Sequence, residues 1–324
     1  MDFLIFGVLS RVDDALFAIM LTLIIQAIMI IFVKVFHRSL NPAPAVEMIL
    51  RPVAIFLCDK LNRAGRSDFA LIIRGSIVFF ILLALLSFAG IFAEHALVSA
   101  GLGAYMDILM LAFLLSPISI LVPAYAISRP NSPKGSYLYI ARALNQNLVT
   151  SDDFGLRRAA IAAISLSWSE WVIGPVLFYL IGGMPLVCLY TALGLFMRVD
   201  GGDQNAFRSI FGFMYTIFRK LSACISFMFI FASSIFSAGG RPLKMISALK
   251  ESGLNSTAFF AFAQNITVGG TIHNRKGITT ALGWIGPEGT SAKILRRDVI
   301  RVIIQYCITL FLLTAVLLAA YVLM

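Results

Sequence analysis

Apolar runs of about 20 residues recur along this chain, at 15–36, 75–93, 108–127 and 302–324. Such a run, rising about 1.5 Å per residue, matches a hydrocarbon core roughly 30 Å thick, so each predicts a transmembrane helix. Two weaker apolar stretches lie between them. Residues 171–195 are interrupted by Pro175, Gly182, Gly183 and Pro185, and residues 221–238 are short and rich in serine, so each either spans or dips in and returns. Backbone broken at membrane depth has to be enclosed by protein, because its freed N–H and C=O groups find no partner in lipid. The predicted fold class is all-α: one polytopic integral membrane domain over residues 1–324, with four transmembrane helices and two re-entrant or spanning segments.

The stretches between the runs carry shorter patterns. Val46, Ile49, Leu50, Val53, Phe56, Leu57 and Leu61 recur at helical spacing and predict an amphipathic interfacial helix over 45–63, interrupted near Pro52. Residues 129–135 form a turn-rich connector into a helix beginning near Tyr137. Ser151-Asp152-Asp153 reads as the start of a helix, with side-chain oxygens for the first free N–H groups and acids at the positive end of the dipole.

Composition agrees with the membrane reading and removes other classes. With 60% hydrophobic and 13% charged residues, and a mean hydropathy of +0.91, a soluble domain would expose more apolar surface than it could bury. Of the 26 Lys and Arg, 20 lie in the loops 37–74, 128–170 and 239–301, which the positive-inside rule assigns to the cytoplasm, with both termini across the membrane. The net charge of +10 is then a topology signal and an attraction to anionic headgroups. No basic run interleaves with aromatics on a soluble segment, which argues against a nucleic-acid partner. The first fourteen residues carry Asp2, Arg11, Asp13 and Asp14 and no cleavage site follows, so the first helix is expected to stay as an anchor.

Candidate chemistry is sparse. Cys58, Cys188, Cys224 and Cys307 stand singly, with no C-x-x-C pair, and His37, His95 and His273 are far apart, so zinc, iron–sulfur and Cys/His nucleophile sites are disfavoured. Arg157 and Arg158 open a helix near the membrane, where they would either bind a phosphate bidentately or extend to lipid headgroups. Asp200-Gly201-Gly202-Asp203 is either a turn or a Mg²⁺ loop beside a phosphate. Gly283–Gly289 is a Gly/Pro loop without the ending of a P-loop.

The stretch GLRRAAIAAISLSWSEWVIGPVLFYLIGGMPLVCLY, residues 155–190, resembles the CobD/CbiB type of adenosylcobinamide-phosphate synthase, an integral membrane family of cobalamin (vitamin B12) assembly. Its pattern there is roughly G-x-R-R-A-x-[IV]-E-x-[IVL]-[AS]-E-N-x-x-D-G-x-x-A-P-L-F, then G-G-x-P and Y-K-x-x-N-T-x-D-S. Without a gap this falls on Gly155, Arg157, Arg158, Ala159, Ile161, Pro175, Gly182, Gly183, Pro185 and Tyr190. The same register puts Ala162 and Leu166 at two family carboxylates, Ser167 at an amide, Gly194 at Asn, Met197 at Asp, and Glu170 at an Asp. Farther out, Leu57, Leu61, Asn62, Arg63, Gly269 and Gly270 match, while Asn147, Phe218 and Thr257 stand at acidic positions and Arg219 at another.

The resemblance extends over residues 45–324 as architecture and is specific over 157–190. It implies ATP- and Mg²⁺-dependent amide formation between an aminopropanol phosphate and adenosylcobyric acid, so the implied partners beyond the bilayer are a corrinoid or a phosphorylated small molecule. Arg157, Arg158, Tyr190, Arg208, Gly269 and Gly270 are the implied ligand or phosphate contacts, Asp200 and Asp203 the metal candidates, and Glu170 the one catalytic candidate. With most acids replaced, the chain reads as a divergent or non-catalytic member in a bacterial inner membrane. A sensor or scaffold of the more distantly related AmpE type is the other class, and a transporter, suggested by the broken segment, a third.

Overall fold

The structure is a computed structural model and describes residues 2–36, 45–62, 66–99, 103–115, 117–129, 135–199, 206–273 and 279–323. The chain is an all-α multi-pass membrane protein: among the described residues, six stretches are long and apolar enough to cross a bilayer. Helix α1 covers Asp2–Phe36, α2 Ala45–Leu61, α3 Asp68–Ser99, α4 Gly103–Leu114, α5 Ile118–Ile127, α6 Ser136–Leu144 and α7 Asp153–Ser167. A π-helical turn, Trp168–Ile173, joins α7 to α8, Gly174–Val199; then follow α9 Ser209–Phe236, α10 Pro242–Ser252, α11 Ser256–Gln264 and α12 Arg296–Leu323. Helix α2 continues through Pro52 instead of breaking there.

Helix α3 shows why the long runs face lipid. Phe69, Phe80, Leu85, Phe88 and Phe92 are exposed, while Leu71, Val78 and Phe79 turn inward on a second core with Ala54 and Cys58 of α2 and Phe207 and Phe211. A helix apolar on every side buries one face on protein and leaves the rest to the bilayer. The larger core joins α1 and α4 to α12.

The two weak segments differ. Helix α9 carries the serine-rich stretch without interruption for 28 residues. It runs antiparallel along the π turn and the first arm of α8, with Phe229 meeting Trp168 and Phe218 meeting Phe178. Helix α8 breaks where Gly182 (φ −141°, ψ 16°) and Gly183 (φ 66°, ψ −160°) leave helical geometry. A side chain would be strained at the Gly183 dihedrals. The chain turns back there: the rings of Phe178 and Tyr190 lie 4.8 Å apart, and Arg198 reaches Glu170. Across an unbroken helix, residues 28 apart would be separated by about 42 Å.

At the other end, Asp152 caps α7 as expected, accepting the Gly155 N–H at 2.7 Å. Among the described residues the one sheet is a hairpin of β1, Val268–His273, with β2, Thr279–Ile285, antiparallel and bulged between Val268 and Gly270. It takes up Gly283, Trp284 and Ile285, which the sequence places in a loop.

Candidate functional site: a buried carboxylate between two arginines

Pro175 brings the site into being. Having no N–H, it cannot bond the carbonyl four residues back, and its ring crowds that carbonyl. The wider π turn before it absorbs the misfit, with Gly174 N–H donating to the Ser169 carbonyl, five residues back. All six residues of the turn are buried, Glu170 among them. The double-glycine reversal then returns the second arm of α8 across this turn, and the ring of Tyr190 lies so close over Gly174 that a Cβ there would overlap it.

Glu170 is thereby enclosed, with 4% of its side chain exposed. Oε2 accepts a hydrogen bond from Nη1 of Arg198 at 2.8 Å, and Nε of Arg219, from α9, stands 3.7 Å from Oε1. The Arg198 guanidinium also lies over the Trp171 ring, 5.6 Å from its centre. A cavity of about 30 Å³ opens beside this cluster, lined on its polar side by Glu170, Arg198, Tyr190, Thr191 and Tyr215. That is room for on the order of two water molecules. The Tyr190 hydroxyl is buried close to Ser222 without a hydrogen bond of good geometry.

The remaining sequence candidates do not converge on this cavity. Arg157 donates to the Ile294 carbonyl at 3.3 Å and faces Asp153, and Arg158 donates to the Ala292 carbonyl at 2.8 Å and lies over the Trp284 ring. They tie the start of α7 to the loop before α12, bringing two of the three basic loops to one end of the molecule. Arg208 is buried in the second core near Cys58. Burial pushes the Cys58 thiol up, and the Arg208 guanidinium opposes part of that rise. Gly269 and Gly270 sit at the hairpin bulge against the Gly283 carbonyl and the Trp284 ring, a fit that positive φ and the missing Cβ allow. Asp200 and Asp203 lie outside the described residues.

Arg198, Arg219, Thr191 and Tyr215 were not among the sequence candidates. The signal for the arginines was available: charges inside apolar spans are costly unless they pair or serve a function.

Metal-assisted chemistry needs converging carboxylates, and among the described residues no three His, Cys, Asp or Glu side chains stand together. The donor set around Glu170 is cationic and does not fit Mg²⁺. In comparisons with known proteins, no family model, no curated protein and no solved structure matches this chain.

Proposed function

We propose that this chain is a non-catalytic membrane protein of CobD/CbiB-like architecture in a bacterial inner membrane, acting as a sensor or scaffold of the AmpE type and using the charged region around Glu170 to bind. The observation that carries this reading is the commitment of Glu170, the one acid kept near the resembling motif, to two arginines. A general acid or base must reach a substrate proton, and here both carboxylate oxygens face guanidinium groups. The small cavity supports the same reading, since pockets that hold drug-sized ligands run to about 300 Å³ or more, and a corrinoid is larger still. The chain is therefore expected not to restore cobalamin-dependent growth to a strain lacking the synthase and fed adenosylcobyric acid. Restored growth would show an active ligase and overturn the proposal.

A further inference from the structure

Helix α9 carries two adjacent cations, Arg219 and Lys220, within an otherwise apolar membrane-spanning run. Both are on its exposed side with Thr216, among the exposed apolar residues Phe213, Ile217 and Leu221. Nε of Arg219 stands 3.7 Å from Glu170, and among the described residues its two terminal nitrogens make no hydrogen bond and Lys220 makes neither an ion pair nor a hydrogen bond. Glu170 cannot neutralise the pair, because its shorter contact is with Arg198. A charge left in lipid without a counter-ion is expensive, so such groups mark places where a partner binds.

The partner's chemistry follows from the donors. Arg219 offers a planar pair of terminal NH₂ groups, the fork that matches two oxygens of a phosphate, and Lys220 adds a compact point charge one residue on. Glu170 attracts the guanidinium at 3.7 Å from Nε and takes no hydrogen bond from either terminal NH₂ group. Side chains tilt toward the N-terminus of their helix, so both cations lean toward the nearer end of α9, ten residues or about 15 Å away. Long cationic side chains cover part of that distance by extending along apolar surface toward polar headgroups.

We infer that Arg219 and Lys220 form a phosphate-binding site open to the bilayer, anchored on the Glu170–Arg198 ion pair, whose ligand is a lipid headgroup phosphate. The inference rests on reading the Glu170 region as a binding element, but it fails separately: a growth-restoring chain that still bound phosphate at Arg219 would overturn only the non-catalytic reading. The test is thermal unfolding of the full-length protein in a neutral detergent, titrated with short-chain phosphatidic acid, with the matching diacylglycerol, and with inorganic phosphate. Phosphatidic acid is expected to raise the unfolding temperature and diacylglycerol to leave it unchanged. A rise with inorganic phosphate at similar concentrations would support the site and point to a soluble source. Replacing Arg219→Gln and Lys220→Gln together should weaken binding about tenfold or more. Should that variant not fold, Arg219→Lys, which keeps the charge and loses the fork, should weaken binding by a smaller factor. No phosphate-dependent shift in the wild type, or an unchanged affinity in the variants, would overturn the inference.

Discussion

Two buried polar clusters in this bundle are built on opposite principles. At the crossing of α9, α11 and α12, Gln264 donates to Ser237 and to Gln305 at 2.8 Å each, and Gln305 donates to the Ile230 carbonyl and Ser233. Every member is neutral, and each hydrogen bond stays within the cluster. At the π turn, by contrast, one carboxylate faces two guanidinium groups beside a cavity. Neutral groups bonded to one another fasten helices together at little cost, here with the Gln264 Oε1 buried and accepting no hydrogen bond among the described residues. Charges need a counter-ion at every site, and the second cluster holds more cation than it holds anion. The first therefore explains itself as packing, and the second calls for a ligand.

This contrast can be broken most strongly at Arg198. Replacing Arg198→Gln leaves the enclosed carboxylate facing only the longer Arg219 contact, and should cost about 3–5 kcal/mol of stability, read as a large fall in unfolding temperature in detergent. In the neutral cluster, Gln305→Leu strands the donor of Gln264 and should cost about 1–3 kcal/mol. The double replacement Gln264→Leu with Gln305→Leu removes both partners and should recover most of that loss; no such recovery would mean that the network does more than pack. Arg158→Gln removes a bond to the Ala292 carbonyl and should cost about 1 kcal/mol, with faster hydrogen exchange confined to the loop before α12. The smallest effect belongs to Arg219→Gln, at a half-exposed side chain, where stability without ligand should change by under about 1 kcal/mol. A large loss there would make Arg219 a structural counter-ion to Glu170 rather than a ligand contact.

That the chain is a helical multi-pass membrane protein was legible in the sequence, because transfer into lipid depends on local composition and needs no knowledge of neighbours, whereas the single span read over 108–127 is two helices, α4 and α5. The cap at Asp152 was legible for the same reason, since it is made within four residues. The fate of the two weak segments was not. Serine in 221–238 looks disruptive until its hydroxyls are seen donating to carbonyls three or four residues back, as Ser222, Ser233 and Ser234 do, which lets α9 run on. The strands were missed because Gly269, Gly270 and Gly283 weaken any strand pattern, and it is the bulge that gives them their place.

By itself, the sequence determined that this is a helical multi-pass membrane protein, where its apolar runs lie, and that residues 174–185 cannot form a straight helix. Those properties follow from hydrophobicity and backbone stereochemistry, which act residue by residue. Only the tertiary structure decided that the break brings Arg198 back onto Glu170 and that α9 delivers Arg219 to the same carboxylate. It likewise decided that Arg157 and Arg158 hold a loop. Charge pairing depends on distances of a few ångströms between residues far apart in the chain, and those distances exist only after the reversal at Gly182-Gly183 has been made.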